Sequence, residues 1–153
     1  MKRTFTLLFS ALICAAVARA GDVKIKAVMS TSPEGESTTT FATDTPKIFA
    51  FFKTKGAKDG DKIRGVLIAE DVGNVAPANT KVLETSVTLD GDTDDGDFNF
   101  SMPTAGWPAG KYRVEIYAGD ELATTVKFTI KAAFKKKDSE ESEGDDSSKE
   151  KGD

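Results

Sequence analysis

The sequence predicts an all-β domain, an antiparallel sandwich of about seven short strands, and three observations lead there. Between residues 22 and 131, apolar and polar residues alternate at period two, the repeat of a half-buried strand. Clusters of Gly, Asp, Pro, Ser and Thr punctuate the alternating runs. No stretch carries a convincing helical pattern.

In chain order, Asp22–Met29 alternates Val23, Ile25, Ala27 and Met29 with Lys24 and Lys26, and the Ser/Thr-rich segment 30–46 follows as a loop or irregular edge. Lys47–Thr54 is the second strand, Gly56–Asp61 a Gly/Asp turn, and Lys62–Glu70 the third strand. Residues 71–79, with Gly73 and Pro77, form a loop before the alternating run Lys81–Leu89. An acidic turn, Asp90–Asp97, leads to Phe98, Phe100 and Met102 with Asn99 and Ser101 between them. A corner loop, 103–110, precedes Lys111–Ala118. Gly119-Asp120 then closes a tight hairpin with the run from Leu122 to Lys131. Unequal loops and a tight final hairpin favour a Greek-key sandwich over a barrel.

The segment Trp107-Pro108-Ala109-Gly110-Lys111-Tyr112-Arg113-Val114 resembles the Gly-x-Tyr corner of immunoglobulin-like and fibronectin-like domains. Val114–Leu122 and Phe128-Thr129-Ile130 continue it as a terminal hairpin, similar to the last third of many exported bacterial immunoglobulin-like domains. The resemblance implies the fold and no particular function. The Cys-Trp-Cys pin of antibody domains is absent.

The ends differ in character from this middle. Lys2 and Arg3, an apolar run from Phe5 to Val17, and Ala18-Arg19-Ala20 fit a secretory signal peptide over residues 1–20, with cleavage before Gly21. The alternative is an uncleaved anchor, although the run is short for a span of roughly 20 apolar residues. Cys14 follows Leu12-Ile13 rather than the small residue a lipobox wants. The expected organisation is a signal peptide (1–20), a sandwich (21–134) and a charged tail (135–153) in an exported, periplasmic or secreted protein. The tail is almost free of apolar residues and is expected to be disordered. Its readings are a solubilising segment or an electrostatic tether.

Composition excludes much chemistry. The chain has no histidine, and its one cysteine, Cys14, lies in the leader. The mature protein would therefore lack disulfides, thiolate or imidazole metal sites and a Ser-His-Asp triad. Residues 21–137 carry 16 Lys/Arg against 17 Asp/Glu, whereas 138–153 carry a net charge of −6. The sandwich has no basic stripe with interleaved aromatics, so nucleic acid is not an expected partner. No long apolar span follows the leader. A carboxylate-pair hydrolase needs two facing acids across a cleft, and acids gathered in turns do not predict one. The expectation is a non-catalytic module that binds a protein or envelope component, with self-association left open. The alternative is a calcium-dependent or carbohydrate-binding module.

Three candidate sites follow. Asp90, Asp92, Asp94, Asp95 and Asp97 are oxygen ligands in a Gly-containing turn, which suits Ca²⁺. An EF-hand pattern fails at its sixth position (Asp95) and twelfth (Ser101), and a solvated turn is the plainer reading. Trp107 is either a stacking platform for a sugar or a plug for the end of the core. Finally, KIFAFFK and KIRGVLIAE are apolar on both faces. Phe49, Phe51, Val66 and Ile68, joined by Tyr117, therefore form a candidate partner surface unless the chain covers them itself. Asn99-Phe100-Ser101 is a glycosylation sequon that matters only in a eukaryotic host.

Overall fold

The computed structural model describes residues 23–91 and 93–133. The leader expected at 1–20, the tail at 135–153 and Asp92 lie outside them. Eight strands form in chain order: β1 (Lys24–Ser30), β2 (Thr40–Ala42), β3 (Lys47–Lys55), β4 (Lys62–Asp71), β5 (Thr80–Thr88), β6 (Asp95–Ser101), β7 (Gly110–Ala118) and β8 (Glu121–Lys131). They make a three-stranded sheet ordered β1-β3-β6 and a five-stranded sheet ordered β2-β8-β7-β4-β5. All pairings are antiparallel except β2 with β8, which is parallel.

The chain changes sheet between β1 and β2, β2 and β3, β3 and β4, β5 and β6, and β6 and β7. This is a Greek-key sandwich of the immunoglobulin-like type. A β4-β7-β8 face is widened on one side by β5 and closed on the other by the short β2. The strand beyond the seven expected is β2, a short edge strand lodged in the segment expected to be a loop or irregular edge. Three residues are too few to display a period. Phe41 nevertheless enters the core, where its ring meets Phe128 edge to face at 5.3 Å.

Inward-facing residues of both sheets supply the core. Ile48, Phe98 and Phe100 from one sheet meet Ile63, Leu67, Tyr112, Val114, Ile116 and Ile130 from the other, all essentially solvent-free. Burying each such side chain stabilises the fold by about 1.5–3 kcal/mol. The corner expected from the sequence is built. The Tyr112 hydroxyl donates to the Pro108 carbonyl at 2.7 Å, its ring stacks on Phe128 at 5.5 Å, and burial pushes its pKa up to about 12. Gly119, at φ 61°, makes the sharp turn of the β7–β8 hairpin, a conformation that costs glycine nothing.

Candidate functional site

The two sequence segments that are apolar on both faces have opposite fates. In β4, Val66 is 5 % and Ile68 7 % exposed. Both project from the outer face of the five-stranded sheet, yet they are roofed by the chain itself. Register sets Val66 between Glu84 of β5 and Glu115 of β7, and Ile68 between Lys81 and Arg113. Flanked by these long side chains, whose charged ends pair, both aliphatic residues are nearly solvent-free. Arg113 donates to Glu115 at 2.8 Å, to Glu70 at 3.3 Å and to Asn79 at 2.6 Å. Glu84 accepts from Lys81 at 3.1 Å, and Lys127 reaches Glu70 at 3.1 Å. Tyr117 belongs to this roof, donating to Glu115 at 2.7 Å beneath the Arg64 guanidinium, which sits 4.2 Å from its ring centre. Val66 and Ile68 are therefore corrected from partner surface to internal packing, while Tyr117 stays half-buried, held between Glu115 and Arg64.

The roof has a pH signature. Glu115 is held below the usual carboxylate range, chiefly by the Tyr117 hydroxyl and then by Arg113. A depressed carboxylate adds stability that is present above its unfolded pKa of about 4.3 and is lost as pH falls through its lower folded value. Glu115→Gln should therefore melt lower than wild type at pH 7, by an amount corresponding to at most about 1 kcal/mol because the group is partly solvated. The gap should narrow as pH falls from 7 to about 3, as Glu115 is progressively protonated and comes to resemble the neutral amide. Paired thermal melts at the two pH values check this.

Among the described residues, no such roof covers the outer face of the three-stranded sheet. Phe49 and Phe51 are half-buried and stack on each other, with centroids 5.9 Å apart and planes 6° from parallel. Val28, opposite Phe51 on β1, is 50 % exposed. Lysines flank this apolar stripe. Lys47 sits at one end, 5.9 Å from the Phe49 ring, and Lys26↔Lys53 and Lys24↔Lys55 face each other across β1 and β3 at the other. On the β6 side, Asp95, Asp97 and Asn99 lie opposite Lys53, Phe51 and Phe49. Between the Lys26–Lys53 row and the Val28–Phe51 row runs an open, mostly apolar groove of about 370 Å³ that reaches Asp95 and is floored by Ala27, Phe52 and Gly96. Phe49 and Phe51 thus stand on an open face. Sequence reasoning missed Val28 and the lysines beside them. The signal was there in Lys24 and Lys26 alternating ahead of Val28, but only register puts them beside KIFAFFK.

The sugar-platform reading of Trp107 is corrected. Trp107 is only 4 % exposed. Its indole Nε1 donates to the Thr45 carbonyl at 2.8 Å and its backbone N–H to the Thr43 carbonyl at 3.0 Å. The ring plugs the end of the core and offers no face to a sugar. Of the five aspartates of the acidic turn, Asp92 lies outside the described residues and the other four are exposed. Strand β6 begins at Asp95, so Asp95 and Asp97 point out from the sheet. Asp94 instead uses its backbone carbonyl to accept from the Thr54 hydroxyl at 3.0 Å. Among the described residues, no three His, Cys, Asp or Glu side chains are close enough to hold a metal ion. No helix among them is long and apolar enough to cross a membrane.

No family model matches the chain, and no curated protein matches it significantly. Several solved structures are similar. An immunoglobulin-like protein from Pseudomonas aeruginosa is 16% identical, with a TM-score of 0.49, and the match covers 74% of this chain and 99% of that one. The alkylpurine DNA glycosylase of Pseudomonas fluorescens, solved with DNA containing an abasic site analog, is 15% identical at a TM-score of 0.49 over 72% of this chain. A β-glucosidase from Listeria innocua, solved with glucose, is 11% identical at 0.44 over 73% of this chain. The match spans 31% of the glycosylase and 16% of the glucosidase. The fold assignment rests on strand order and register: the chain is an immunoglobulin-like β-sandwich.

Proposed function

We propose that the protein is an exported, non-catalytic binding module that docks on a component of the cell envelope through the outer face of β1-β3-β6. The observation that carries this reading is the contrast between the two outer faces. One is closed by its own charged side chains, and the other leaves Val28, Phe49 and Phe51 open within a lysine frame. Exposed apolar side chains that share a patch with polar edges are the usual mark of an interaction surface. Export is supported by the basic, apolar and small-x-small succession of residues 1–20. The binding role is supported by the lack of histidine and by the absence, among the described residues, of three acids close enough to share a metal ion.

The test is retention of components from a detergent extract of envelopes by immobilised wild-type domain, by Val28→Asp/Phe51→Ser, and by Leu83→Ser. Leu83 is exposed on the other sheet. Wild type and Leu83→Ser should retain a common set that the double variant loses. Equal retention by all three would defeat the reading.

A further inference from the structure

The lysine frame narrows the class of partner. We infer that the outer face of β1-β3-β6 seats on a bilayer surface containing anionic phospholipid, an inference that rests on the binding reading above. Lys24↔Lys55 and Lys26↔Lys53 place four ammonium groups in two adjacent cross-strand rows. Like charges set directly opposite destabilise a sheet, so an anionic surface that neutralises them is bound preferentially. Among the described residues, none of the four lies within ion-pair distance of an acid, although Asp95 is the cross-strand neighbour of Lys53. The full chain carries a net charge of −4, so this basic patch runs against the charge of the molecule and fixes which side approaches an anionic surface.

The shape and chemistry of the face favour lipid over an acidic protein. Beside the lysines lies an apolar groove of about 370 Å³, and its second bank is Val28 and Phe51. Of its lining side chains, only Lys26, Lys53 and Asp95 are polar, and none is an amide or hydroxyl that would read a protein partner directionally. Ammonium groups accept phosphate oxygens from many directions, while valine and phenylalanine fit the acyl boundary below the headgroups. This is the division of labour of a peripheral membrane face: apolar contact for insertion, and lysines for attraction to the surface.

The experiment is co-sedimentation of the full chain with vesicles of phosphatidylcholine containing about 30% phosphatidylglycerol, against vesicles of phosphatidylcholine alone. The wild type should partition onto the anionic vesicles only and be released by about 0.5 M NaCl. Lys26→Glu/Lys53→Glu should lower the partition coefficient by at least about twenty-fold, since each surface lysine contributes roughly a five-fold factor. Lys24→Glu/Lys55→Glu should act in the same direction, and Leu83→Ser should be silent. Circular dichroism verifies that each variant is folded. Equal binding to neutral vesicles, or reversal variants that bind like wild type, would overturn the inference. Vesicles that never bind, alongside envelope components lost from Val28→Asp/Phe51→Ser, would also overturn it and point to an acidic protein surface, leaving the binding reading intact. If the retention experiment fails as well, both fall.

Discussion

Replacing Trp107 by alanine should lower the stability of the domain by about 3–5 kcal/mol, a fall in melting temperature of more than ~10 °C. Two effects combine. The indole is almost wholly enclosed at the end of the sandwich, so its removal leaves a cavity that the surrounding corners cannot collapse to fill. Its Nε1 is also the donor to the Thr45 carbonyl, whose partner disappears with the ring. That bond joins the turn after β2 to the loop before β7, and the Thr43 backbone reinforces it by donating to the Lys131 carbonyl and accepting from the Trp107 N–H. Trp107→Phe keeps most of the apolar volume and should recover more than half of the loss. A sugar platform would behave differently. Its alanine variant would melt like wild type and fail only in binding, so the melting curve alone separates the two roles.

A second large effect comes from one methyl group. Gly65 lies in β4 with its α-carbon facing the other sheet, and the Phe98 ring of β6 occupies the space a side chain would take. A Cβ at Gly65 would stand 2.7 Å from Phe98 Cδ2 and 2.9 Å from Cε2. The ring cannot easily retreat, because it stacks on Phe52 at a centroid distance of 5.0 Å. Gly65→Ala should therefore destabilise by about 1–3 kcal/mol, although alanine is ordinarily no worse than glycine within a strand. Phe98→Leu should partly rescue Gly65→Ala, and a double-mutant cycle by denaturant melts should return a favourable coupling between the two sites. Additive losses would show that the ring does not clash with the new methyl group.

The same two strands show how far the sequence could be read. KIFAFFK and KIRGVLIAE carry the same message, apolar on both faces, and composition cannot say which outer face is roofed. The answer lies in register with strands far away in sequence. Beside Val66 and Ile68 stand Glu84, Glu115, Lys81 and Arg113, long enough to cover them and opposite enough in charge to pair. Beside Phe51 stand Val28 and Asp97, and beside Phe49 stand Ser30 and Asn99, which are too short to do so. The all-β class, the tyrosine corner and the final hairpin were legible because each is encoded within about ten residues. Strand β2 was not, since Thr40-Phe41-Ala42 has meaning only against Thr129-Ile130-Lys131. The end of the acidic turn is likewise set by register, since strand pairing starts at Asp95 and makes Asp95 and Asp97 part of β6, opposite Lys53 and Phe51.

That parallel seam between β2 and β8 also governs the order of folding. Thr40 finds its partner at Thr129, almost the whole described chain away, so its formation must wait for the loop-closure entropy to be overcome by other contacts. Neighbours in sequence, β7 with β8 and β4 with β5, close first at little entropic cost. The seam can be sewn only after residue 131 has been synthesised, so β2, though second in the chain, must wait for the eighth strand before it can join its sheet.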